Sequence, residues 1–125
     1  MSALVDTSVL IDYLRGDDRA RNLLESERQV GVLNGSEITR LEVLAGMRPA
    51  EEDATRLLLS TLAWHPIDAP VAEKAGELGR RWLASHRSID GADLAIAATA
   101  LLLGVRLLTL NVRHFPMFSG LRRPY

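Results

Sequence analysis

The stretch DGADLAIAATALLLGVRLLTL, residues 90–110, decides the fold, because it predicts a buried helix followed at once by a strand. Leu94 to Leu103 is apolar on nearly every side, which is typical of a helix enclosed by other elements. Ser88 or Asp90 can open this helix, and the glycine after it ends it. A strand is then predicted over Val105 to Leu110.

Strands and helices also alternate along the rest of the chain. Apolar runs predict the strands, and capping residues followed by apolar faces predict the helices. The further predicted strands are Ala3 to Val5, Gln29 to Leu33 (stopping at Asn34-Gly35), a short one over Ala63 to Ile67 and a terminal edge strand over Leu121 to Tyr125. Five further helices are predicted. The first begins at Thr7 or Ser8 and ends near Leu14, and the second begins at Asp17 or Asp18 and ends near Glu27. The third runs from Ser36 to Gly46, the fourth from Ala50 to Leu62, and the fifth begins after Asp68 and has an apolar face that reaches Trp82.

This alternation predicts an α/β fold, a three-layer α/β/α sandwich around a mostly parallel sheet of four to five strands. In such folds the functional site lies beyond the carboxyl ends of the strands. Asp6 follows the first strand and Asn111 follows the strand that ends at Leu110. Both residues are therefore expected on the same rim of the sheet.

Composition places the chain, residues 1–125, among single-domain globular proteins. Hydrophobic residues make up 47% and charged residues 25%, the balance of a soluble domain. Because there is no cysteine, a disulfide framework or thiolate metal site is excluded, and a metal must be bound by oxygen or imidazole. The longest apolar segment is too short to cross a bilayer. These features favour a cytoplasmic protein without a membrane partner.

Charge is distributed unevenly along the chain, although the net charge is only -1. Residues 80–125 hold seven arginines and two acidic residues, a local net charge of +5. Guanidinium groups suit phosphate and carboxylate partners. Nucleic acid, an acidic protein or solvent alone could each face such a surface.

Three acidic residues are candidates for a common site. Asp6 emerges where a buried strand meets solvent, although an aspartate at that position could equally cap a helix. Glu42 borders the apolar face of its helix, although an ordinary exposed glutamate needs no function. Asp93 stands at the head of a buried helix, where a carboxylate is costly to desolvate unless a cation or strong donors compensate it. The alternative for Asp93 is a reciprocal cap with Asp90, which we take as the helix cap.

If the three carboxylates converge on one rim, they repel one another until a divalent cation binds. Oxygen ligands favour Mg²⁺, which Mn²⁺ can replace. Such an ion lowers the pKa of water and stabilises charge on phosphoryl oxygens, so phosphodiester hydrolysis is the chemistry that fits.

Four sequence blocks carry a family resemblance that runs nearly end to end. They are Leu4–Ser8, Ser36–Gly46, Asp93–Ala100 and Leu108–Phe115. In order, spacing and total chain length they resemble the PIN-domain family, specifically the VapC toxins of type II VapBC toxin–antitoxin systems. The resemblance implies the same α/β/α sandwich.

By position, the resemblance makes Asp6, Glu42 and Asp93 the catalytic acids. Asp6 and Asp93 would bind the metal ion directly, and Glu42 directly or through water. The hydroxyl groups of Ser8 and Thr109 match positions that orient acids or bound water.

In the last block the family often has a further acid, where this chain has Asn111 or His114. That acid is missing here. An amide oxygen at Asn111 could hold a water molecule bound to the ion, but a second ion would be poorly anchored, so one tightly bound ion is expected. His65, His86 and His114 are interpreted as surface residues rather than ligands.

The resemblance implies an Mg²⁺- or Mn²⁺-dependent endoribonuclease that hydrolyses RNA through metal-activated water and leaves a 5′-phosphate and a 3′-hydroxyl. Related toxins are homodimers whose acidic pockets face a shared groove. They form hetero-oligomers with a cognate VapB-type antitoxin that silences them. Arginines of the last third, with Arg87 and Arg113 as candidates, would bind RNA phosphates.

Other classes fit less well. A phosphotransfer receiver needs a lysine after the late strand, and no lysine lies beyond Lys74. A haloacid-dehalogenase-type phosphatase needs an aspartate at the position of Ser8. A catalytically inactive PIN-like module that binds RNA or protein stays open, because the fourth acid is missing.

Overall fold

Four strands and six helices alternate in the computed structural model, which describes residues 2–125. The strands are β1 (Ala3–Val5), β2 (Leu33–Ser36), β3 (Ala63–His65) and β4 (Arg106–Leu108). The helices are α1 (Thr7–Leu14), α2 (Asp18–Val30), α3 (Glu37–Ala45), α4 (Glu52–Leu59), α5 (Ala69–Trp82) and α6 (Gly91–Leu103), with short 3-10 helices at Pro49–Glu51 and Val112–His114. Within residues 2–125, no helix is both long and apolar enough to cross a membrane.

The four strands form one parallel sheet in the order β3-β2-β1-β4. In the register, Ala3 of β1 lies between Leu33 of β2 and Arg106 of β4. The first and last strands among residues 2–125 are therefore neighbours, with β1 in the interior of the sheet and β4 at one edge. This arrangement confirms the predicted fold class, with four strands rather than five.

Alternate residues of the central strands face two separate cores. Ala3 and Val5 pack with Val9, Leu10 and other side chains of α1, α2 and α4 on one face of the sheet. Leu4 points the other way, into a cluster formed mainly by α5 and α6. Because successive side chains of a strand alternate between faces, one three-residue strand contributes to both cores. The result is the predicted three-layer sandwich.

The prediction for the second strand was wrong at both ends. Gln29 and Val30 belong to α2, and the strand includes the Asn34-Gly35 pair that was expected to stop it. Tertiary contacts explain the difference. The Asn34 side chain donates a hydrogen bond to the carbonyl oxygen of Ala3, and the ring of Trp64 packs so closely over Gly35 that a Cβ there would lie 2.5 Å from it.

The predicted terminal strand over Leu121 to Tyr125 was also wrong, since these residues form no strand. The segment is instead attached to α1 by a side chain. The Tyr125 hydroxyl donates a 2.8 Å hydrogen bond to Asp12 Oδ2, and the guanidinium group of Arg19 lies over the Tyr125 ring. Side-chain contacts thus replace the backbone pairing that the sequence suggested.

Two helix ends differ in detail from their predictions. Helix α4 stops at Leu59 rather than Leu62, because the hydroxyl groups of Ser60 and Thr61 donate to carbonyl oxygens of the preceding turn. Helix α6 is buried only from Leu94 to Ala100, and its last three leucines are between 38% and 51% exposed. Gly104 ends α6 in the left-handed conformation, with φ of 68°, as expected for a glycine after a helix.

Candidate active site

A cleft of about 450 Å³ opens beyond the carboxyl ends of β1 and β4. It is lined by residues at the start of α1, by Glu42 of α3, by the head of α6 and by the segment after β4. The lining residues are Asp6, Thr7, Ser8, Ile11, Asp12, Glu42, Asp90, Asp93, Leu110, Asn111 and His114. Another cleft of the same volume, beside α2 and α4, contains no acidic residue. Of these two clefts, only the first contains carboxylates, and it contains five.

Asp6 lies at the base of this cleft and is only 4% exposed. It occupies the N-cap position of α1, but its side chain makes no capping hydrogen bond. The hydroxyl groups of Ser8 and Thr109 both donate to Asp6 Oδ2, at 2.9 and 2.7 Å. Within residues 2–125 no hydrogen bond reaches Oδ1. The carboxylate is thus held through one oxygen, and the other is free to bind a ligand.

The two hydroxyl groups also connect Asp6 to the segment after β4. The backbone amide of Leu110 donates to Ser8 Oγ at 3.2 Å, and that of Asn111 donates to Thr109 Oγ1 at 2.9 Å. Since each hydroxyl has one proton and already accepts from an amide, that proton is directed to Asp6. The prediction that Thr7 or Ser8 caps α1 was wrong, because both lie in its first turn and their hydroxyl groups bond to acids.

Glu42 is connected to α1 in the same way. The Thr7 hydroxyl donates a 2.7 Å hydrogen bond to Glu42 Oε1. Behind it, the fully buried hydroxyl of Thr39 lies 3.1 Å from that of Thr7. Thr39 and Glu42 are three residues apart in α3, so they share one face of the helix. A buried threonine pair therefore fixes the glutamate at the cleft.

Asp93 forms the reciprocal cap with Asp90 that was one of the two alternatives for this residue. Its backbone amide donates to Asp90 Oδ1 at 2.9 Å, and its own Oδ2 accepts from the amide of Asp90 at 3.2 Å. The same Oδ2 lies 3.0 Å from Nδ1 of His114. Burial, and to a smaller extent the neighbouring Asp90 carboxylate, raise the pKa of Asp93 to about 6. Capping and ligand binding are compatible, because Oδ1 accepts no hydrogen bond within the described chain.

The donor set of the cleft fits a hard divalent cation only in part. Carboxylate oxygens are the preferred ligands of Mg²⁺ and Mn²⁺. However, no three Asp, Glu or His side chains among residues 2–125 lie close enough together to bind one ion in the positions described. Mg²⁺ commonly uses one or two carboxylates and keeps several water ligands, so a fit does not require all three acids to contact the ion.

The two arginines proposed for RNA do not join the acids. Arg87, in the loop before α6, and Arg113, in the 3-10 helix after β4, are exposed and do not line the cleft. Arg106, another arginine of the basic third, is bound to Glu27. The local excess of positive charge is therefore outside the acidic cleft.

Several residues of the cleft were not predicted from the sequence. Asp12 lies four residues after Ser8 and on the same face of α1, a spacing that could have indicated it. Thr7 and Thr39 give no such signal, because their roles depend on the packing of α1 against α3. His114 was interpreted as a surface residue, but it lines the cleft and contacts Asp93.

Together, the α/β/α fold and the acidic cleft define a protein with a candidate hydrolytic site at the edge of a parallel sheet. Comparison with known proteins gives a definite family. The family model described as the PIN domain matches residues 3–118. The chain belongs to the PIN-domain family.

Several relatives match almost the whole chain. Two proteins of Mycobacterium tuberculosis, named ribonuclease VapC19 and ribonuclease VapC10, are each 43% identical to it. The first match covers 98% of both chains, and the second covers 98% of this chain and 92% of the relative. A solved structure titled toxin-antitoxin complex, from Klebsiella pneumoniae, matches with a TM-score of 0.83 and 32% identity over 98% of both chains.

Proposed function

We propose that this protein is a metal-dependent endoribonuclease and the toxin of a type II VapBC toxin–antitoxin system. The observation that carries the proposal is the shared cleft of Asp6, Glu42 and Asp93 at the carboxyl edge of the sheet. The matching relatives support the activity, since two of them are named ribonucleases over nearly their full length. The organisation as a single domain stays a prediction.

Asp6 and Asp93 are the residues that would bind the ion directly, because each has a carboxylate oxygen without a hydrogen bond among the described residues. Glu42 keeps Oε2 free in the same way and would bind the ion directly or through water. When bound, Mg²⁺, or Mn²⁺ in its place, lowers the pKa of water and stabilises charge on the phosphoryl oxygens. Ser8 and Thr109 are positioning residues, since they fix the orientation of Asp6.

Asn111 and Asp90 take smaller parts in this proposal. Asn111 also lines the cleft, and its amide oxygen would hold a water molecule there. Asp90 opens α6 and fixes the backbone that carries Asp93. Neither contributes a charge that the reaction needs.

RNA would be bound by the exposed arginines outside the cleft, with Arg87 and Arg113 as the proposed contacts. The cleft itself has five acidic residues and would repel phosphates in the absence of a cation. Guanidinium groups at a distance from the acids can attract the RNA backbone without neutralising the site. This separation of charge supports a nucleic-acid substrate.

The proposed partners are a cognate VapB-type antitoxin and a second copy of this chain, in line with the toxin–antitoxin complex that the fold matches. An antitoxin that brings a basic side chain to the acidic cleft would silence it by occupying the place of the cation. The proposed location is the cytoplasm, where RNA and the antitoxin are synthesised.

The test is RNA cleavage by purified protein freed of any antitoxin, with Mg²⁺ or Mn²⁺ and with EDTA. Cleavage is expected only with the metal, and the products are expected to carry 5′-phosphates. Asp6→Asn and Asp93→Asn should each abolish cleavage, because they remove a charge with little change of volume. Asp68→Asn is the matched control. The Asp68 side chain caps α5 by accepting a hydrogen bond from the backbone amide of Val71, and asparagine can cap a helix equally well.

Thermal unfolding of each variant, followed by circular dichroism, shows whether a variant that has lost activity is still folded. If folded protein cleaves no RNA with either metal, the chain is a PIN-like binding module rather than an enzyme. If Asp6→Asn and Asp93→Asn cleave as fast as the Asp68 control, the reaction takes place elsewhere.

A further inference from the structure

His114 lies in the acidic cleft and has no part in the site described above. It belongs to the 3-10 helix Val112–His114 after β4, and its side chain is 35% exposed. Nδ1 lies 3.0 Å from Asp93 Oδ2. Because an ionised carboxylate only accepts hydrogen bonds, this contact places a proton on Nδ1. The Asp93 contact thus fixes the orientation of the ring and occupies one of its two nitrogens.

The second ring nitrogen of His114 is available to a ligand. Among residues 2–125, Nε2 makes no hydrogen bond, and the side chain lines the cleft. Most of the other polar side chains around it are carboxylates, or hydroxyl groups that already donate to carboxylates, as those of Thr7 and Ser8 do. With the amide of Asn111, the imidazole of His114 is therefore a side chain of the cleft that can bond a ligand without adding negative charge.

The charge and place of the cleft decide which part of an RNA strand Nε2 can contact. Five carboxylates repel a phosphate that approaches without a cation, whereas a sugar hydroxyl is uncharged. Asp93 belongs to the proposed catalytic acids, so the neighbouring His114 is close to where the cleaved bond would lie. The sugar next to that bond brings its 2′-hydroxyl there, while its base extends away from the strand. A 2′-hydroxyl both donates and accepts, so it can bond Nε2 whether the imidazole is neutral or protonated.

This inference rests on the proposed nuclease function. We propose that His114 Nε2 binds the 2′-hydroxyl of a nucleotide beside the cleaved bond and makes the site select RNA over DNA. The 2′-hydroxyl is the group that distinguishes the two nucleic acids at a given position. In this contact it is bound and does not attack, because the attacking group in the proposed reaction is water. His114 thus determines specificity, and the cleavage chemistry stays with the acids.

Two substitutions of His114 separate the functions of its two nitrogens. The amide nitrogen of asparagine is the same number of bonds from Cβ as Nδ1, so His114→Asn keeps a donor for Asp93 but has no polar group in the place of Nε2. The amide nitrogen of glutamine corresponds to Nε2 in the same way, so His114→Gln keeps a polar group there. His86→Gln is the control outside the cleft, where His86 Nδ1 lies 2.8 Å from Ser85 Oγ.

The experiment measures cleavage of a synthetic single-stranded RNA with Mg²⁺ by the full chain, free of antitoxin, at a bond that the wild type cuts. In a matched series of strands, one nucleotide at a time on either side of that bond has a 2′-hydrogen instead of the hydroxyl. In the wild type and in His86→Gln, one of these changes should lower kcat/KM about three- to tenfold, the effect of one hydrogen bond. In His114→Asn the same change should lower kcat/KM less than about twofold, and His114→Gln should restore part of the difference.

The ratio of kcat/KM on the two sugars tests the inference, because a merely structural effect of the substitution slows both strands equally. If no 2′-hydrogen slows the wild type, or if the wild-type ratio persists in folded His114→Asn, the inference is refuted and the nuclease stands. A ratio that His114→Asn changes only when the base is exchanged, and not the sugar, refutes it as well. If the folded wild type cuts no RNA with Mg²⁺ or Mn²⁺, the proposed function fails, and the inference fails with it.

Discussion

Replacing Thr109 by valine should destabilise the protein strongly, although the two side chains have nearly the same shape. Thr109 is fully buried, and its hydroxyl donates to Asp6 Oδ2 and accepts from the amide of Asn111. Loss of a hydrogen bond to a charged group costs about 1.5–3 kcal/mol, and the Asn111 amide, left without its acceptor, adds to this cost. We therefore expect the free energy of unfolding to fall by about 2–4 kcal/mol.

The same substitution at Thr55 should have the opposite effect. Thr55 is also fully buried, but within the described residues its hydroxyl has no hydrogen-bond partner. Valine removes a polar group that is buried without compensation, so Thr55→Val should stabilise the protein by about 1 kcal/mol. The two variants form a matched pair that differs only in the partners of one hydroxyl.

Thermal unfolding followed by circular dichroism measures both effects. An unfolding entropy of about 2.1 cal/mol/K per residue corresponds to about 4 °C in Tm for each kcal/mol in a chain of this length. Tm should fall by about 8–15 °C in Thr109→Val and rise by about 4 °C in Thr55→Val. Equal shifts for the two variants, or a drop for Thr55→Val alone, would refute the reasoning from hydroxyl partners.

Further predictions concern pH, packing and RNA. Folded Asp93 keeps its proton up to about pH 6, whereas the group in its ordinary state releases it near 3.8. Stability without metal should thus fall as pH rises between these values, and urea midpoints of Asp93→Asn should lack this decline. Gly35→Ala should cost about 1–3 kcal/mol in urea unfolding, because its Cβ meets a tryptophan ring, whereas Gly91→Ala, whose Cβ meets nothing within 4 Å, should be neutral or slightly stabilising. The double variant Arg87→Ala, Arg113→Ala should weaken RNA binding in filter assays and reduce the slope of log K against log salt by about 1.4, or about 0.7 for each phosphate contact on single strands. An unchanged slope would exclude these arginines as phosphate contacts.

Local pattern was enough to predict much of the fold. The apolar runs at Ala3 to Val5 and Leu94 to Ala100 have no alternative to burial, and capping residues such as Ser36 and Asp68 open their helices as expected. The errors have a tertiary cause. Asn34 and Gly35 have turn-forming preferences, but a buried amide contact and a tryptophan ring hold them in a strand.

For the candidate site, the acids could be predicted but their surroundings could not. Their places next to strands and helices made Asp6, Glu42 and Asp93 candidates, and the resemblance to PIN domains singled them out as a set. The contact of Thr7 with Glu42 depends on how α1 packs against α3, which no short pattern encodes. His114 is similar, because a half-exposed histidine in a 3-10 helix has no periodic signal that points to Asp93.

The pairing of β1 with β4 has a consequence for protein synthesis. Asp6 emerges from the ribosome more than 100 residues before its Thr109 partner and the backbone amide of Asn111. A nascent chain therefore cannot complete the cleft until Thr109 and Asn111 have left the exit tunnel, since segments fold in the order of their release. The order of synthesis therefore delays the completed acidic cleft until its two halves can pair.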